Sequence, residues 1–153
     1  PRAERALLGA WQSARFGFYA VTEKRASGAV VLRDLLREES LEVNDEAFTP
    51  TLNVGDCLLA RLAQRDGVNE FILDVTSVPA GQQESLLAFA RAKYRLYQEA
   101  HFKAGWSDFL RESSFLFNHF LLNAQGQTES KTSGKIVLPT YQLPITHHAS
   151  RSA

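Results

Sequence analysis

The sequence predicts an α+β protein: a five-stranded small β-barrel of the Src-homology or OB kind, with an N-terminal helix, a C-terminal helical hairpin and an extended arm. Three observations carry this. Five short apolar runs joined by tight turns follow one another from Phe16 onward, within about 60 residues. After Val78-Pro79 the hydrophobic period lengthens to that of helices. Last comes "IVLPTYQLPI", in which Pro139 and Pro144 forbid helix. The leading helix and barrel are expected over residues 1–79, the helical hairpin over 80–124, and a linker with the arm over 125–153.

"RAERALLGAWQSAR" places Ala3, Leu7, Trp11 and Ala14 at helical spacing, which predicts a short amphipathic helix. "RFGFYAV", residues 15–21, then reads either as an aromatic strand that stacks bases or as the first strand of a core. Phe16 and Phe18 share one face, and Tyr19 shares the other with Gly17 and Val21. An RNA-recognition motif would show alternating aromatics on one open sheet face and a βαββαβ order, and neither is present. Phe16 and Phe18 are therefore expected to fill the core as bulky inward residues. Gly17 is expected to let strands approach where the barrel bends.

The first strand covers 16–24, and "ASG" (26–28) turns it. "AVVLRDLL" and "LEVN" flank the polar turn "REES". "LNVGDCLLARL" reads as a turn at Gly55-Asp56 leading into alternation through Leu58, Ala60 and Leu62. "DCLLARLAQ" and "VNEFILDVT" flank "RDG", where Asp66-Gly67 admits the positive φ of a hairpin turn. A sheet of such short strands hides its edges by closing.

In "GQQESLLAFARAKYRLYQEAHF", Leu86, Ala90, Tyr94, Tyr97 and His101 form one helical stripe, which Gly105 ends. Ser107-Asp108 offers the N-cap of a second helix, "DFLRESSFLFNHFLLN". Its apolar residues lie around most of its circumference, so it needs cover on more than one side. Residues 124–135, "AQGQTESKTSGK", read as a polar linker. The arm that follows is expected to cover apolar surface, in its own chain or in a second copy.

Hydrophobic residues make up 44% and charged residues 22%, the balance of a soluble globular domain. Seventeen basic residues match seventeen acidic ones over the chain. Residues 1–79, however, hold nine Lys/Arg against twelve Asp/Glu, a slightly acidic barrel that argues against phosphate tracking. Cys57, the single cysteine, sits in an apolar run and reads as a small buried residue. No apolar run reaches the length of a membrane span and no leader is visible, so a cytoplasmic protein is expected. The chain opens at Pro1, either behind a trimmed methionine or as a piece of a longer protein.

Catalytic and metal signals are weighed against plainer readings. His147 and His148 are adjacent, project differently and lack a third ligand at suitable spacing, so a solvated tail is expected. His101 and His119 sit on different helices amid aromatics and read as satisfied core or boundary groups. Glu38, Glu39, Glu42, Asp45 and Glu46 cluster around turns as a solvated rim. No phosphate loop, nucleophile elbow or HExxH helix occurs, and no catalytic residue, cofactor or metal is expected.

The segment "FGFYAVTEKRASGAVVLRDLLREESLEVNDEAFTPTLNVGDCLLARL" is similar to one in uncharacterised bacterial proteins that often carry a SEC-C zinc motif at one end. The likeness covers roughly residues 16–75 and lies in the aromatic-Tyr-x-Val strand, "LRDLL", the Val-containing hairpin arm and "GD-x-LLARL". The Cys-rich zinc motif is absent, so no zinc-borne contact is carried over. The resemblance implies a bacterial origin and a barrel with helical flanks.

The function expected is a non-catalytic interaction module within a larger bacterial protein. Its surface would combine Phe117 and Leu121 with Ile136, Leu138, Tyr141 and Leu143. The partner would be another protein or a second copy held through the arm, with no membrane and no nucleic acid. The alternatives are a nucleic-acid-associated barrel and an enzyme with a dispersed carboxylate site.

Overall fold

A computed structural model describes residues 2–12 and 14–133. The order of elements is α1 (Arg2–Gln12), β1 (Arg15–Lys24), β2 (Val30–Asp34), β3 (Ser40–Val43), β4 (Cys57–Arg65), β5 (Val68–Val78), α2 (Gln83–Ala100), α3 (Trp106–Ser113) and α4 (Phe115–Ser133). The strands close into a barrel in the order β1-β2-β3-β5-β4, β4 returning to β1. Every neighbour pair is antiparallel except β3 and β5, which meet in parallel at Val43 and Asn69. That seam is short, and Asn69 fastens it by donating from Nδ2 to the Glu42 carbonyl at 2.9 Å.

The turns work as their residue types require. Asp66 and Gly67 both take left-handed φ, 50° and 80°, as a two-residue hairpin between right-twisted strands needs. Gly55 stands at φ 97° and ties its N–H to the Val21 carbonyl at 2.8 Å, so the "GD" turn is pinned on β1 before β4 begins. Between β3 and β4, Asp45 accepts from the N–H groups of Ala47 and Phe71 at 2.9 and 3.2 Å. Beside it Phe48 lies edge-on to Phe71, with 5.7 Å between centroids.

Two apolar cores share the strands. Inside the barrel, Tyr19, Val21, Leu32, Leu58, Leu62 and Phe71 pack together. Outside it, Phe16, Phe18, Cys57 and Leu59 pack against Leu86, Phe109 and Phe117 of the helices. Phe16 and Phe18 are thus buried, as expected, but on the outer face beneath the helices rather than inside. Tyr19 takes the interior place, and its ring explains Gly17: a Cβ there would stand 2.5 Å from Tyr19 Cζ. Close approach of a side chain, not of a neighbouring strand, demands the glycine.

The helical side departs from expectation in three places. The second helix begins two residues earlier, at Trp106, with Gly105 at its N-cap and Asp108 Oδ2 accepting the Gly105 N–H at 3.0 Å. It is also interrupted at Ser114, so the hairpin's second arm is α3 followed by α4. α4 then continues to Ser133, so most of the stretch read as a polar linker is helical. The apolar face expected of α1 rests on Leu7 and Trp11, whose side chains are outside the described set.

Candidate functional site: a groove between α4 and the barrel

β1 and β4 bring two side chains to the start of α4. The guanidinium of Arg61 lies over the Phe16 ring at 5.4 Å and donates to Ser114 Oγ at 2.9 Å, where α3 gives way to α4. Phe117, one turn on, sits edge-on to Phe16 with centroids 5.3 Å apart. Burying Phe117 and Leu121 against the barrel leaves Phe115 and Leu122 outside that contact, at its solvent edge. Phe115 is 61% and Leu122 66% exposed.

β5 contributes from the other side. Its register against β4 runs Leu59 to Thr76 and then Arg61 to Ile72, so residues 73–75 stand opposite Ala60 alone. In this bulge Leu73 takes φ 63° and is 59% exposed. A left-handed non-glycine residue costs about 1–2 kcal/mol, and that strain turns a leucine toward the helix. Between them lies an open groove of about 530 Å³, floored by Phe16, Leu59 and Leu121 and rimmed by Leu73, Phe115 and Leu122. Among the described residues Arg61 is the one charged side chain in its lining, and it hydrogen-bonds Ser114. A second groove, about 680 Å³, runs between α2 and α4 on the other side of Phe115, with a rim that includes Lys93, His119 and Asn123.

The residues expected at an interaction surface are divided by the structure. Phe117 is wholly buried and is core, and Leu121 lies at the groove floor with 4% exposure. Ile136, Leu138, Tyr141 and Leu143 lie outside the described residues, as do His147 and His148. The rim that does face solvent, Leu73, Phe115 and Leu122, was not singled out in the sequence. Its helical members were visible there as the surplus apolar residues of α4. Leu73 was not, since a bulge leaves no mark on hydrophobic alternation.

The acidic groups form a second polar site, and it is structural. Asp34, wholly buried, accepts at Oδ1 the N–H groups of Leu36 and Arg37, each at 3.0 Å. Its Oδ2 takes Arg37 Nη1 at 2.9 Å and Arg15 Nη2 at 3.5 Å. Arg37 also donates to the Phe16 carbonyl and to Ser107 Oγ, at 3.0 and 3.2 Å, tying the β2–β3 turn to α3. Arg15 also hydrogen-bonds Glu39, which lowers that carboxyl's pKa. Beside this cluster the Tyr19 hydroxyl is buried with no hydrogen-bond partner among the described residues. Burial above all, and then the Asp34 charge, push its pKa far up, while Arg37 and Arg15 oppose.

Just beyond the end of β1, Arg25 is paired with Glu23 of the same strand and with Glu42 of β3, each at 3.3 Å. The exposed phenyl rings among the described residues, Phe102 and Phe115, both belong to the helical side. Cys57 is buried, and burial followed by the Asp56 charge raises its thiol pKa. Among the described residues no group of three or more His, Cys, Asp or Glu is placed to hold a metal, and no helix is long and apolar enough to cross a membrane.

The chain is thus a closed small barrel with a helical cover and an apolar groove along α4. No family model, curated protein or solved structure matches it. Nothing in these comparisons links the chain to proteins that carry a SEC-C motif.

Proposed function

We propose that this chain is a non-catalytic interaction module whose groove takes an extended, uncharged apolar segment of a protein. The observation that supports this is the convergence of Leu73, Phe115 and Leu122 on one groove, two presented by α4 and one by a strained bulge. Strain of this kind persists where surrounding structure enforces it, and such positions concentrate at binding sites. Extended proline-containing segments dock into grooves lined by aromatic side chains, and Phe16 and Phe115 supply rings here. Among the described residues the carboxylate most removed from solvent, Asp34, is engaged in holding the β2–β3 turn, which favours recognition over acid–base chemistry.

The test uses the full chain carrying Tyr141→Ser and Leu143→Ser, so that its own apolar arm does not compete. A synthetic decapeptide of sequence IVLPTYQLPI should give saturable amide shifts at Leu73, Asn118 and Leu122. Leu122→Glu should abolish them. Absence of saturation up to about millimolar peptide, an affinity weaker than about −4 kcal/mol, would reject the reading.

A further inference from the structure

We propose that the second groove, between α2 and α4, is a separate binding site for a small amphipathic carboxylate, an apolar chain ending in one anionic group. The site does not rest on the reading given for the first groove, although Phe115 borders both.

Helix periodicity builds its walls. Ser85, Phe89 and Lys93 follow one another at four-residue intervals, so they form one stripe along α2. Leu116 and Phe120 form the facing stripe on α4. The Phe89 and Phe120 rings meet with centroids 4.8 Å apart and planes inclined by 34°. Both are only half-buried, and Phe115 beside them is exposed. The result is an apolar trough of about 680 Å³. Small-molecule sites of roughly 300–1,000 Å³ are built this way, with apolar walls for the ligand body and a few polar groups that orient it.

Charge decides the class of ligand. Lys93 is the one Lys, Arg, Asp or Glu in the lining, and its Nζ stands 5.7 Å from the centre of the Phe89 ring. That contact holds the ammonium at the aromatic wall. Arg91, Lys93 and Arg95 place three cations within five residues of α2, and among the described residues none of them pairs with a carboxylate. The opposite wall supplies no counter-ion, since α4 carries no Asp, Glu, Lys or Arg from Phe115 to Gly126. An apolar trough with one such ammonium at its rim is complementary to an apolar body with a carboxylate head. The first groove differs on this point, because its Arg61 hydrogen-bonds Ser114 and lies over Phe16. From Ser85 to Lys93 the α2 wall extends about 12 Å at the helical rise. A medium-chain acyl tail lies along such a wall with its head at Lys93.

The experiment titrates octanoate into the full chain and follows backbone amide shifts. Saturable shifts are expected at Ser85, Phe89 and Phe120, which line this groove alone, and none at Leu73 and Thr76, which line only the first. Octanol should bind more weakly than octanoate. Lys93→Gln should weaken octanoate about two- to fivefold, the range of an exposed ion pair, and leave octanol unchanged. Arg91→Gln, which removes an exposed cation outside the lining, should leave octanoate binding as it was. Ser85→Glu, with unchanged circular dichroism, should abolish it by setting a like charge in the trough. Octanoate that fails to saturate at about millimolar concentration would overturn the proposal. Shifts centred on Leu73 and Thr76 would overturn it too, and the decapeptide titration decides the first groove separately. Equal weakening by Lys93→Gln and Arg91→Gln would reduce the effect to the general charge of α2 and remove the site. Octanol bound as tightly as octanoate would reject a carboxylate ligand.

Discussion

Tyr19 and Asp34 lie side by side, and their polar atoms are treated in opposite ways. Asp34 has both oxygens filled by backbone N–H groups and guanidinium groups, whereas the Tyr19 hydroxyl has no partner among the described residues. Removing a buried hydroxyl that makes no hydrogen bond removes a desolvation cost and no interaction, so Tyr19→Phe should stabilise by about 1 kcal/mol. The pH dependence has a definite sign. Folded Tyr19 keeps its proton where the unfolded chain releases it, near pH 10. Its contribution is therefore full below that pH and lost as pH rises above it. Denaturant titrations at pH 8 and above pH 10 should show alkaline weakening that Tyr19→Phe reduces. A destabilised phenylalanine variant would mean that the hydroxyl has a partner. At this scale the sequence is only partly legible. The two-sided reading of Phe16, Phe18 and Tyr19 follows from strand periodicity alone. Asp34 does not, because one carboxylate inside "VVLRDLL" looks like the end of a strand until the fold brings Arg15 and Arg37 to it.

The strands and their turns were legible because each carries its own signal: alternation, a glycine at positive φ, or an Asp-Gly pair. The elements missed depend on contacts between distant parts of the chain. The interruption at Ser114 is met by Arg61 from β4, and nothing local in "RESSFLF" announces it. The bulge in β5 is likewise set by its partner strand. Leu73→Gly tests what that bulge is for. Glycine relieves the left-handed backbone but adds freedom to the unfolded chain, so stability should change by less than about 1 kcal/mol. The groove meanwhile loses one leucine, and binding of the decapeptide to the arm-substituted chain should weaken about tenfold, the equivalent of about 1.4 kcal/mol. Calorimetry of the variant and its peptide titration read the two effects separately. Unaltered peptide affinity would remove Leu73 from the site.

For the whole molecule, the decisive feature is that β1 and β4 serve both cores. Each sends alternate side chains into the barrel and beneath the helices, Tyr19 and Leu58 inward, Phe18 and Leu59 outward. The near-continuous burial along β4 and the apolar run "CLLARLA" are two views of that double duty. The helices therefore cannot leave without exposing Phe16, Phe18 and Leu59, and the barrel cannot open without undoing the bed on which α3 and α4 rest. Arg37 adds a polar link by holding the β2–β3 turn, the Phe16 carbonyl and Ser107 of α3 together. Residues 1–79 and 80–124 are thus expected to unfold as one cooperative unit, although composition divides them. Phe18→Ala should lower stability by about 3–5 kcal/mol, the range for a buried aromatic. It should do so equally for helix content, followed at 222 nm, and for barrel packing, followed by the amide resonances of Val21 and Leu58 through the same melt. Coincident transitions, displaced together, are the signature of one unit. A helical signal that melts first, with the barrel's transition left where it was, would show that the two layers are stable apart and that Phe18 belongs to only one of them.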